Sequence, residues 1–104
     1  MKSDLGIIGL GVMGRNLSRN FGRNGFRLSL YNRRVEGLEE DIALSLIEQF
    51  EELKSAAGFE DLELFVKSLQ APRVIILMVT AGEVVDKIVH ALAAFSEPGD
   101  TLID

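Results

Sequence analysis

Residues 4–34 read DLGIIGLGVMGRNLSRNFGRNGFRLSLYNRR, and the fold is decided there. A short apolar run, Leu5 to Leu10, is interrupted by Gly6 and Gly9. It continues as Gly9-x-Gly11-x-x-Gly14, then as a helical pattern, then as a second apolar run ending at Tyr31. Strand, tight glycine turn, helix and strand follow one another within about 30 residues, and that context gives a short glycine pattern its meaning. Gly9 permits a sharp turn out of the strand. Gly11, without a Cβ, lets a dinucleotide pyrophosphate approach the backbone. Gly14 lets the helix lie close to the strand. The helix then offers free N–H groups and the positive end of its dipole to phosphate. The bland alternative is a strand-turn-helix whose glycines only make the turn; three glycines in this frame favour dinucleotide binding.

Working outward, 104 residues make one domain, long enough for a real core. No cysteine is present, which excludes a disulfide framework and thiolate metal sites. No apolar run approaches the ~20 residues of a membrane span, and no secretory signal pattern opens the chain. The expected location is cytoplasmic, with no membrane partner. The net charge of −5 is unevenly spread. Residues 1–34 carry seven basic side chains against one acid, Asp4, whereas residues 35–104 carry four against fifteen. A basic first third suits a phosphorylated ligand. Nucleic acid is not expected, because the whole domain is acidic and no aromatic stacking run accompanies the arginines. Arg15, Arg19 and Arg23 recur along one helix face and read as solvated.

Taken in order, the pattern predicts a strand over Leu5–Ile8 and a helix over Val12–Arg23, with Met13, Leu17 and Phe21 facing the sheet. Gly25 suits a left-handed cap. A second strand is expected over Phe26–Tyr31. Asn32-Arg33-Arg34 follows, where this type of domain meets the adenosine ribose. An acid there favours NAD; a neutral residue with arginines accommodates a 2′-phosphate and favours NADP. The alternative is a pair of surface loop arginines. Leu38, Ile42, Leu46, Phe50 and Leu53 suggest one long helix over residues 36–56, its acids from Glu39 to Glu52 forming a solvated face. No convincing third strand is legible, although residues 57–61 leave room for a short one. A short helix after an Asp61 cap comes next.

Val74–Val79 is a continuous run of apolar, mostly branched residues, as a parallel strand buried on both faces requires. Ligands in such sheets lie beyond the carboxyl ends of strands, which makes Val79, Thr80 and Ala81 candidates to line the nicotinamide half. A helix over residues 83–95 and a last strand over Thr101–Ile103 complete the chain. The lone histidine, His90, has no ligand or nucleophile partner and reads as surface. No metal-ligand spacing or nucleophile elbow is present. The expected fold is α/β, a parallel twisted sheet with helices on both faces. Its order is second, first, fourth, fifth strand, with an exposed apolar patch along the last strand and nearby helix faces.

Gly9-Leu10-Gly11-Val12-Met13-Gly14-Arg15-Asn16-Leu17 resembles the fingerprint of the 6-phosphogluconate dehydrogenase family. So do Gly25-Phe26 with Tyr31-Asn32-Arg33, Pro72 to Val79 with Ala81-Gly82 and Val85-Asp86, and Pro98-Gly99-Asp100 leading to Ile103-Asp104. The resemblance implies a Rossmann-type NADP-binding domain of an enzyme of the pentose phosphate pathway. That enzyme oxidatively decarboxylates 6-phosphogluconate to ribulose 5-phosphate. It implies cofactor contacts from Gly9, Leu10, Gly11, Val12, Met13, Gly14, Asn32, Arg33 and Arg34, and a nicotinamide border at Val79, Thr80 and Ala81. Thr80 stands where the family usually has Lys. The catalytic Lys and Glu and most of the homodimer interface are expected in a helical domain beyond residue 104. These residues alone are therefore expected to bind cofactor, to contribute no catalytic residue, and to remain monomeric or self-associate through the apolar patch. Two rivals stand beside this reading. One is another β-hydroxyacid dehydrogenase, such as the 3-hydroxyisobutyrate type. The other is a non-catalytic nucleotide-sensing module, which would more naturally carry an acid at the end of the second strand.

Overall fold

The computed structural model describes residues 1–79 and 83–103, with backbone alone at 83 and 84. Strand β1 (Leu5–Ile8) enters the glycine turn and leaves it as helix α1 (Val12–Arg23). Strand β2 (Leu28–Tyr31), helix α2 (Ile42–Gln49), strand β3 (Ala57–Phe59) and helix α3 (Leu62–Lys67) follow. Strand β4 (Val74–Leu77), helix α4 (Glu83–Ala93) and strand β5 (Thr101–Ile103) end the series. The sheet has the order β3-β2-β1-β4-β5, with every pairing parallel.

Side chains alternate across a strand, so β1 serves both layers. Leu5 and Ile7 pack with Leu28, Leu30, Ala43, Leu46 and Leu53 on the face covered by α1 and α2. Ile8 packs with Phe65, Val66, Leu69, Ile75, Leu77 and Leu92 on the face covered by α3 and α4. Gly6, which interrupts the first apolar run, makes room for Phe65: a Cβ there would lie 2.5 Å from the Phe65 ring. Asp61 caps α3 as expected, its Oδ1 accepting from the Leu64 N–H at 3.0 Å. Gly25 closes α1 at φ +87°.

Several expectations change. The third strand exists, as β3 at the sheet edge beside β2. It is only three residues long and centred on Gly58, so its sequence carries almost no strand preference. Gly58 also admits α2, since a Cβ there would sit 3.0 Å from the Ala43 Cβ. The long helix over 36–56 is instead a turn, α2 and a separate 3-10 turn at Glu51–Leu53. Asp41 is left-handed at φ +52°, which bars a helix through it, and Phe50 is extended. Leu38 is exposed rather than inward. The second and fourth strands are also shorter than expected: Phe26 stays outside β2, exposed, and β4 stops at Leu77. Helix α4 stops at Ala93 instead of reaching residue 95.

Nor is the basic face of α1 simply solvated. Arg19 Nε donates to Glu52 Oε2 at 2.7 Å, Arg23 lies 3.4 Å from the same oxygen, and the Arg19 guanidinium stacks 3.8 Å over the Phe50 ring. The Arg19 hydrogen bond and nearby charges hold the Glu52 carboxyl below the usual carboxylate range. Glu52 is thus a packed partner of α1 rather than part of a solvated acidic face. At the far edge, Asp100 accepts from the Arg73 N–H at 2.7 Å and from the Arg73 side chain at 3.2 Å, tying β4 to the approach of β5. Among the described residues no helix is long and apolar enough to cross a membrane, and no cluster of acids and histidine could hold a metal ion.

Candidate functional site

The carboxyl ends of β1, β2 and β4 open on one cleft of about 230 Å³. Ile8, Gly9, Leu10 and Gly11 supply one wall, Tyr31, Asn32, Arg33 and Glu39 another, and Met78, Val79 and Ile88 the third. Backbone hydrogen bonds fix the strand ends: Gly9 N–H to the Tyr31 carbonyl at 2.9 Å, and Met78 N–H to the Ile8 carbonyl at 2.7 Å.

Each glycine of the turn meets a different constraint. Gly9 has φ +97°, and a Cβ on it would lie 2.7 Å from the Met78 carbonyl oxygen. Gly14 lies so close to β1 that a Cβ would overlap the Gly9 carbonyl oxygen, at 1.8 Å. Gly11 is the opposite case: a Cβ there would meet nothing within 4 Å. Gly11 is the N-cap of α1, yet no side chain caps that end and no acid stands in its first turn. The first N–H groups of a helix have no intrahelical acceptor, so this end presents donors and a positive dipole to the cleft side. Val12 and Met13 are 78% and 72% exposed. Met13 therefore does not face the sheet as its helical spacing suggested. It sits in the first turn of α1, and of Met13, Leu17 and Phe21 only the last two reach the core.

Leu10 lines the cleft although it is almost fully buried. Its side chain is core, and its N–H donates to Asn32 Oδ1 at 3.1 Å. Asn32 is itself buried and donates through Nδ2 to the Arg33 carbonyl and to Glu39 Oε1, both at 3.1 Å. One side of the amide faces a donor and the other two acceptors, so its orientation is set. Glu39 Oε2 accepts from Arg33 Nε at 3.2 Å. Arg34 pairs with Glu40 at 2.7 Å and with Glu60 at 3.4 Å. Neither arginine is a free surface cation, and the acids from Glu39 to Glu40 are not a solvated helix face. Burial first, and then the Asp61 carboxylate, push the Tyr31 hydroxyl above its ordinary value.

Sequence reasoning placed Gly9, Leu10, Gly11, Asn32, Arg33 and Val79 together, and the structure brings them to one cleft, whereas Val12, Met13, Gly14 and Arg34 do not line it. Thr80 and Ala81 lie outside the described residues. Glu39, Met78 and Ile88 were missed as cleft residues. Gly37 was the available signal for Glu39, because a glycine inside a helical pattern disfavours the helix and returns the chain toward Asn32. His90 is exposed on α4, as expected. Pro98-Gly99 leads to β5, where Leu102 and Ile103 are 39% and 46% exposed beside Val89, 40% exposed on α4, so the expected apolar patch is present.

A family model described as the NAD-binding domain of 6-phosphogluconate dehydrogenase matches residues 4–104. The decarboxylating 6-phosphogluconate dehydrogenase of Chlamydia pneumoniae is 44% identical over 104 residues, all of this chain and 21% of that protein. A Plasmodium falciparum 6-phosphogluconate dehydrogenase, solved in its apo form and with NADP+ and with its substrate, superposes with TM-score 0.82 at 34% identity, over 97% of this chain and 21% of that one. A Mycobacterium tuberculosis 3-hydroxyisobutyrate dehydrogenase superposes with TM-score 0.70 at 22% identity, over 100% of this chain and 31% of that one, and shares the fold. The chain spans about a fifth of the length of the curated relatives it matches. On the fold, the glycine turn and these matches, the chain belongs to the family of NAD-binding domains of 6-phosphogluconate dehydrogenase.

Proposed function

We propose that residues 1–104 are the NADP-binding domain of an enzyme that oxidatively decarboxylates 6-phosphogluconate to ribulose 5-phosphate. The observation that carries the binding reading is Gly11: its open Cβ position lies at the uncapped N-terminus of α1, on the wall of the cleft. A pyrophosphate fits that place because the N–H groups and dipole attract it and no side chain stands in its way. When bound, NADP supplies the hydride acceptor.

This chain's own residues bind and orient. The turn from Gly9 to Gly14 holds the pyrophosphate, Val12 and Met13 border it, and Asn32 fixes the Leu10 end of the turn. Arg33 and Arg34 meet the 2′-phosphate, while Val79, Thr80 and Ala81 border the nicotinamide half. Substrate groups and the proton-transfer residues belong, in this reading, to a helical domain that also covers β5 and makes a homodimer. The 104 residues by themselves then bind cofactor without turning substrate over.

Calorimetric titration of the chain with NADP and NAD tests the reading. NADP binding at least ~10-fold tighter, ~1.4 kcal/mol, is expected. Equal affinity or a preference for NAD would sink the NADP assignment. A full-length enzyme oxidising 3-hydroxyisobutyrate and not 6-phosphogluconate would sink the substrate assignment.

A further inference from the structure

Glu39 spends both carboxylate oxygens on the two side chains that the ribose end of the cleft offers. Oε1 accepts from Asn32 Nδ2 at 3.1 Å and Oε2 from Arg33 Nε at 3.2 Å. Its backbone is fixed, because Val35 N–H donates to the Glu39 carbonyl at 2.6 Å and Glu39 N–H to the Val35 carbonyl at 2.7 Å. Its carboxylate is not walled in, the side chain being 35% exposed. Carboxylate and phosphate match a guanidinium in the same way, and the two anions repel one another on a shared partner.

We propose that Glu39 is a further specificity-determining residue of this cleft: its carboxylate competes with the 2′-phosphate of NADP for Arg33 and Asn32, and lowers the preference for NADP over NAD. This rests on the reading that the adenosine ribose lies at the end of β2. Binding NADP requires the Glu39 side chain to swing off Arg33 into solvent. Binding NAD does not, since a 2′-hydroxyl can donate to the carboxylate where it stands. The identity of residue 32 agrees: an aspartate there would set a second carboxylate against Glu39, whereas the asparagine amide donates to it. Discrimination therefore arises from an opposing group as well as an attracting one.

The test is calorimetry of wild type, Glu39→Gln and, as a charge control, Glu63→Gln, whose carboxylate meets Lys67 at 2.9 Å on α3. Glu39→Gln keeps an oxygen for Asn32 and is expected to bind NADP at least ~10-fold tighter, with NAD changed by less than ~3-fold. Glu63→Gln is expected to match wild type for both. Thermal melting establishes that each variant folds. If Glu39→Gln does not, Glu39→Asp is read instead, its shortened carboxylate leaving Arg33 and tightening NADP. A wild type that prefers NADP while the folded residue-39 variant binds it no tighter overturns this inference alone. An equal gain from Glu63→Gln also overturns it, in favour of net charge. A wild type that binds neither dinucleotide overturns the reading of the cleft and this inference together.

Discussion

Between Gly9 and Gly11 the cleft wall is two glycines and Leu10, whose side chain turns into the core. Between Asn32 and Glu40 the wall is a set of side chains already engaged: Asn32 and Arg33 with Glu39, Arg34 with Glu40 and Glu60. The first region is set by local sterics, which leave no room for a side chain at Gly9 or Gly14 and open space at Gly11. The second is set by pairing across a folded loop, and its members can exchange partners. Under the proposed function, a dinucleotide meeting both would find its pyrophosphate seat preformed and its 2′-phosphate seat contested.

The sharpest way to break that contrast is to add one methyl group at two places in the glycine turn. Gly14→Ala drives a Cβ into the Gly9 carbonyl oxygen at 1.8 Å, a new methyl against fixed backbone. It is expected to cost ~3 kcal/mol or more, read as a large drop in melting temperature. Gly11→Ala adds the same methyl into open space, so stability should stay within ~0.5 kcal/mol of wild type while NADP affinity falls. Equal losses of stability at the two positions would show that the turn is not divided as described.

Asn32→Leu tests whether the contested loop also supports the bare turn. It leaves the Leu10 N–H without its acceptor in a buried place, at an expected cost of ~1–3 kcal/mol, checked by denaturant titration. No loss would mean that the two regions are independent. Arg33→Ala should remove the NADP preference, a change of ~10-fold or ~1.4 kcal/mol in the ratio of the two affinities. A preference that survives would assign the 2′-phosphate elsewhere. The smallest effect is expected from Glu40→Gln, since exposed ion pairs such as Arg34–Glu40 contribute between ~0 and ~1 kcal/mol. A larger stability loss would show that Glu40, through its bond from the Gly37 N–H, shapes the loop.

The order of strands and the place of the cleft were legible because their causes are local and periodic. Leu5–Ile8 and Val74–Leu77 are apolar runs bounded by breakers, Leu17 and Phe21 recur at helical spacing, and a glycine acts on the backbone at its own position. Helical spacing failed for Met13 because a period names a face of the helix and not whether anything packs against it: Met13 is exposed in the first turn of α1. It failed again across Gly37, where Leu38 kept the pattern while the backbone turned. The strand Ala57–Phe59 was illegible for a different reason: it exists by pairing with β2, not by any preference of its three residues.

By itself, then, the sequence determined an α/β domain with a tight glycine turn at Gly9, Gly11 and Gly14 and a basic, non-acidic end to the second strand. Only the tertiary structure decided that Arg19 and Arg23 meet Glu52, that Asn32 holds the turn in place, and that Glu39 stands on Arg33. Those are contacts between side chains brought together by turns at Gly37 and Asp41 and by the 3-10 turn at Glu51–Leu53. A charge in a sequence carries its sign, but its partner is fixed only when the backbone has folded around it.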